Sequence, residues 1–162
     1  MKECRGRIDG EGLRVCVLVS RFNEEYGQLL LGGATAALRA AGVAEENLEM
    51  ISVPGAFELA GAAAFRIRQG GLDAVIALGA VIRGETTHYD FVAGECARGI
   101  AELSRGSDIP VVFGVLTTEN DEQALERAHP DRQDKGGEVA RAALEMAHLY
   151  RDLSRRAETT RG

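Results

Sequence analysis

The stretch Ala74-Val75-Ile76-Ala77-Leu78-Gly79-Ala80-Val81-Ile82-Arg83-Gly84-Glu85-Thr86-Thr87-His88-Tyr89-Asp90 decides the fold. Its first half is a short apolar run, which reads as a buried strand. Its second half is a polar turn punctuated by glycine, holding two hydroxyls, a carboxylate, an arginine and a histidine. Backbone N–H groups and threonine hydroxyls at the start of a following helix can hold an anion. A histidine beside them can move protons near neutral pH. An anion site next to an acid/base group points to chemistry on a phosphorylated small molecule.

Three similar runs lie around it: 13–19, 48–53 and 110–116. Between them, residues 26–41, 57–69 and 89–105 carry apolar side chains at helical spacing. A last helix is marked by Val139, Ala142, Ala143, Met146, Leu149, Tyr150 and Leu153. Alternating strand and helix predicts an α/β sandwich, a parallel sheet with helices on both faces and right-handed crossovers. The length of 162 residues predicts one domain over 1–162, with an N-terminal arm at 1–11 and a C-terminal tail at 157–162.

Apolar residues make up 45% of the chain and charged residues 27%, enough for a sizeable core. The net charge of −6 gives no reason to expect nucleic acid or an anionic membrane as partner. Cys4, Cys16 and Cys96 are odd in number and lack C-x-x-C spacing, which argues against a disulfide framework or a zinc site and for a reducing compartment. Cys16 and Cys96 read as small buried residues. No apolar leader or membrane-length run is present, so the expected location is the cytoplasm.

In an open parallel sheet the carboxyl ends of the strands meet at one edge, where ligands bind. The turns expected there hold Ser20-Arg21-Phe22-Asn23-Glu24, Pro54-Gly55-Ala56-Phe57-Glu58, Arg83 to His88, and Thr117-Thr118-Glu119-Asn120. Phe22 and Phe57 either cap the sheet edge as core or pack on a flat ligand. At Pro54-Gly55 a positive φ is open to the glycine, a geometry that would turn the Ala56 and Phe57 amides outward. Glu58 either reaches polyol hydroxyls or stabilises a helix dipole. His88 is the acid/base candidate, whereas His129 and His148 read as solvated. The helix after the fourth strand starts near Thr118 or Asn120. Arg127 therefore lies about 15 Å down it. There it is a surface charge or reaches a neighbouring subunit, and Lys135 poses the same choice.

In family order and at family spacing over about residues 13–150, the chain resembles lumazine synthases. The resemblance rests on Arg21-Phe22-Asn23-Glu24, Val53 to Leu59, Gly79 to Asp90, Gly114 to Asn120, Gln123 to Ala128 and Lys135-Gly136. It implies a flavodoxin-like fold with sheet order 2-1-3-4. It also implies a cofactor-free transferase of riboflavin biosynthesis, built from pentamers with sites between subunits. The substrates would be 5-amino-6-(D-ribitylamino)uracil and 3,4-dihydroxy-2-butanone 4-phosphate, and riboflavin synthase is a candidate partner. Carried over by position, Phe22, Ala56, Phe57, Glu58, Ala80, Val81, Ile82 and Phe113 would hold the ribitylaminouracil. Glu85, Thr86, Arg127 and Lys135 would hold the butanone phosphate, and His88 would transfer protons. Phe113 and Arg127 would come from the adjacent subunit. The segment from Ala128 to Asp134 departs from the family by carrying Pro130 and no glycine, which leaves the assembly size open. Ala60 stands where a proline is frequent. An alternative is a catalytically idle shell-forming or flavin-binding protein of the same fold.

Overall fold

The computed structural model describes residues 3–161, with side chains through residue 159. Residues 1, 2 and 162, the outer ends of the expected arm and tail, lie outside the described residues. Four parallel strands, β1 (Val15–Ser20), β2 (Leu48–Val53), β3 (Ala74–Ile82) and β4 (Val111–Thr118), pair in the order 2-1-3-4. Five helices flank them: α1 (Glu24–Ala40), α2 (Leu59–Arg68), α3 (His88–Gly106), α4 (Asp121–Ala128) and α5 (Lys135–Arg161). The flavodoxin-like order expected from the resemblance is therefore present.

Strand alternation sorts the two cores. Val15, Val17, Val19, Ile76 and Leu78 face one side and pack with Leu30 and Leu38 of α1, Ala124 of α4 and Leu144 of α5. Cys16, Leu18, Val75 and Ala77 face the other side and meet Leu59 and Ala63 of α2 and Cys96 and Ile100 of α3. Burial raises the thiols of Cys16 and Cys96, to about 12 and about 11, so both behave as apolar filling.

Glycines set the closest helix approach. A Cβ on Gly136 would collide with the Leu30 carbonyl, and one on Gly33 or Gly137 with the Asp134 carboxylate. Asp134 has φ 44° and accepts the Gly137 N–H at 3.0 Å, capping the start of α5. Lys135-Gly136-Gly137 is thus the seam that lets α5 lie against α1. In the arm, Gly6 abuts the Glu145 carbonyl and Arg5 pairs with Glu145.

Three expectations need correction. His148 is not solvated: it is 3% exposed, and its Nε2–H donates to the Asp9 carbonyl at 2.8 Å, fastening the arm to α5. His129 is half-buried at the end of α4, its Nδ1 accepting the Asp131 N–H. Gly55 is extended (φ −147°), so its left-handed freedom is unused. Instead, a Cβ there would stand 3.1 Å from the Glu58 carboxylate, which folds back over it. Helix α5 continues through Arg161. Among the described residues, no helix is long and apolar enough to cross a membrane.

Candidate active site

Between the carboxyl ends of β1, β2 and β3 lies a cleft of about 720 Å³, of the size that holds a small organic ligand. Its walls include Phe22 and Asn23 after β1, Pro54 to Glu58 after β2, Ala80 to Ile82 of β3, and Gly84, Thr86 and His88 after β3. The cleft exists because β3 outruns its neighbour: the β1–β3 ladder ends at Val19–Leu78, while β3 stays paired with β4 to Ile82–Thr118. Meanwhile the chain leaving β1 follows β2, through Arg21 N–H to the Val53 carbonyl and Phe22 N–H to the Pro54 carbonyl.

Strand geometry then aims the peptide edge. Val75 N–H bonds the Pro110 carbonyl and Arg83 N–H the Thr118 carbonyl, so odd residues of β3 point toward β4. Alternation turns Ala80 and Ile82 the other way, past the end of β1. Above that edge stand aromatic rings with no cover from the protomer: Phe22, Phe57 and Phe91 are 71%, 56% and 67% exposed. The bland reading of Phe22 and Phe57 as sheet-capping core is thereby set aside.

The anion cradle takes definite form. α3 begins at His88, and Thr87 at its N-cap makes no side-chain capping bond. A 19-residue helix thus opens onto the cleft at its positive end. Thr86 turns its hydroxyl back to the His88 N–H at 3.4 Å. Ala56, Phe57 and Glu58 form a single 3-10 turn ahead of α2.

Arg83 plays a different part from the one its position suggests. Its Nε donates to Glu119 at 2.8 Å, its Nη1 donates to Asp90 at 3.1 Å, and its guanidinium lies 4.1 Å from the centroid of the Tyr89 ring. The bond to Glu119 first, then that to Asp90, holds its pKa above the usual arginine value. It ties the β3–α3 turn to the β4–α4 turn rather than lining the cleft.

Of the residues singled out from sequence, Phe22, Ala56, Phe57, Glu58, Ala80, Val81, Ile82, Thr86 and His88 line this one cleft. Glu85 sits exposed between two lining residues. Phe113, Arg127 and Lys135 do not line it. Phe113 is exposed midway along edge strand β4, paired with Ala77. Arg127 is half-buried near the end of α4, donates to its own helix's Gln123 carbonyl and has no carboxylate in ion-pair range among the described residues. Lys135 pairs with Glu138 at 2.6 Å.

Asn23, Tyr89, Phe91 and Val92 also line the cleft and were not singled out. Phe91 carried a readable signal, because three residues past His88 on a helix is the same face. A family model described as 6,7-dimethyl-8-ribityllumazine synthase matches residues 12–151. The chain belongs to that family. The match spans all four strands and reaches well into α5, so the cleft lies wholly within it. The family places the chain in riboflavin biosynthesis, among enzymes that are generally transferases acting on small molecules as oligomers.

Proposed function

We propose that the protein condenses 5-amino-6-(D-ribitylamino)uracil with 3,4-dihydroxy-2-butanone 4-phosphate. The products are 6,7-dimethyl-8-ribityllumazine, inorganic phosphate and two waters. One observation carries the reading: exposed rings, the edge of β3 beyond its ladder with β1, a folded-back carboxylate and a helix start at a histidine converge on one cleft.

In this reading the pyrimidine lies on Phe22, with its ring edge against the peptide groups of Ala80 to Ile82. The ribityl chain runs toward Ala56, Phe57 and Glu58. The butanone phosphate enters with its phosphate at the start of α3, near Glu85 and Thr86. The 5-amino group attacks the ketone carbon, and loss of water forms the C=N bond. Removal of a proton next to the imine then expels phosphate, leaving an enol that becomes a second carbonyl. The ribityl-bearing nitrogen attacks that carbonyl, and a second water leaves as the ring closes.

In this reading His88, the first residue of α3, shuttles these protons, a contribution of about 10²–10⁴ in rate. Holding two reactants in register supplies a further share, up to about 7–11 kcal/mol of barrier. The helix N-terminus and a cation stabilise the leaving phosphate.

That cation is Arg127 of an adjacent copy, with Phe113 and Lys135 beside it. This assignment is supported by the two flanks: the cleft lacks a cation of its own, while Arg127 stands without a carboxylate among the described residues. All five phenylalanines are 37–71% exposed on the protomer, as expected if a second copy covers them. Covering about 100 Å² of one ring gains ~2.5 kcal/mol. From the family we assign a homo-oligomer built from pentamers and a cytoplasmic location.

Both substrates mixed with the protein should yield a fluorescent lumazine and one phosphate per turnover, faster than in buffer. Phosphate release at the buffer rate would rule the reading out.

A further inference from the structure

We propose that Asn23 is a positioning residue that sets the width of the slot between Phe22 and the edge of β3 beyond its ladder with β1. The proposal deepens the condensation reading and rests on it for the identity of the flat ligand. Asn23 has φ 58° and ψ 48°, a left-handed conformation that asparagine tolerates better than most side-chain-bearing residues. That turn reverses the chain directly after Phe22, and the Asn23 carbonyl then accepts from Tyr26 and Gly27 to start α1.

Its side chain does something separate. Nδ2 donates to the Ala80 carbonyl at 2.9 Å, and only the amide nitrogen can face an acceptor there. Ala80 is the first β3 residue past Leu78 that points toward β1, where the ladder has no further strand partner. The carboxamide thus stands in for the next residue of β1. The main chain of the same turn is tied to β2 through Arg21 and Phe22. One residue therefore links the ring wall, hung from β2, to the peptide wall carried by β3. Without the amide bond the two walls are joined only through their separate strands, and the slot for a planar heterocycle loses its fixed spacing.

Two variants test this. Asn23→Gly keeps the left-handed turn and removes the amide. Its KM for ribitylaminouracil should rise about tenfold, the loss of one buried-edge hydrogen bond, with the KM for butanone phosphate within about twofold and the particle mass unchanged. Direct binding of ribitylaminouracil alone, by calorimetry, should weaken by the same factor. Unchanged binding, or equal changes in both KM values, overturns the proposal.

Asn23→Asp keeps shape and turn but sets a carboxylate against a carbonyl, and only its protonated form can donate. Its kcat/KM relative to wild type should therefore climb as pH falls from 8 to 6. His88, Glu58 and Tyr89 in the cleft and Glu24 and Glu25 in the first turn of α1 are common to both proteins, so their titration largely cancels in the ratio. A flat ratio counts against the bridge. Wild-type protein that binds ribitylaminouracil without turnover refutes the condensation reading alone, and wild type that does not bind it overturns both.

Discussion

At the seam between α1 and α5 glycine backbones touch, and a methyl group on Gly136 would meet the Leu30 carbonyl; at the cleft large rings stand uncovered over a peptide edge that β1 does not pair. The first region has given up side chains to bring two helices together, burying Leu30, Ala34, Ala140 and Leu144 completely. The second has kept Phe22, Phe57 and Phe91 out of both cores, although phenylalanine is among the largest apolar side chains available for burial. Stability and ligand contact therefore draw on separate residues. The cores are aliphatic apart from tyrosine, and the phenylalanines are held for something outside the protomer.

Substitutions in one region should therefore leave the other's property alone. The largest expected effect is on turnover: His88→Ala should lower kcat about 10²–10⁴-fold. It should leave the melting temperature nearly unchanged, because His88 is exposed at a helix start. A matching loss of thermal stability would break the separation. Gly136→Val should do the reverse. Overpacking against the Leu30 backbone should cost about 3 kcal/mol, read as a lowered urea midpoint, with the activity of the folded fraction kept.

Arg127→Ala sharpens the contrast between the cleft and the far flank. It should raise KM for the butanone phosphate about 10–100-fold, the worth of a charged hydrogen bond, and leave kcat less affected. Exchange of subunits between Arg127→Ala and Phe22→Ala proteins, assayed at butanone phosphate well below the raised KM, should then restore part of the activity. No recovery despite proven exchange would sink the shared site.

The smallest effect belongs to Tyr26, whose hydroxyl donates to Asp121 at 2.7 Å and ties α1 to α4. That bond, aided by burial, raises the phenol to about 12 from its usual value near 10. A raised pKa means that the stabilisation is whole below about pH 10 and is lost as pH climbs toward about 12. Tyr26→Phe should cost about 1 kcal/mol at neutral pH, since Asp121 is exposed, and should flatten that alkaline decline.

Much of the site was legible because it sits at strand ends, which short apolar runs announce. Phe22, Ala56 to Glu58, Ala80 to Ile82, Thr86 and His88 share one cleft since a parallel sheet sends every strand's carboxyl end to the same edge. Asn23 was passed over because its work depends on φ and on a partner 57 positions away, neither of which is written locally. Arg83 misled for the same reason: near His88 in sequence, it is committed to Glu119 and Asp90. His148 looked solvated among charged neighbours, yet the arm packs over it.

Residue order alone specifies the alternation of strands and helices, the two-faced burial of the sheet and the family. Those follow from periodicity and short-range spacing, which act along the chain. Which polar groups are spent on the fold and which remain open emerges only when the segments dock. Hydrogen bonds and burial are settled between segments far apart in sequence, and only their docking assigns Asn23 to Ala80, Arg83 to two carboxylates and His148 to the arm.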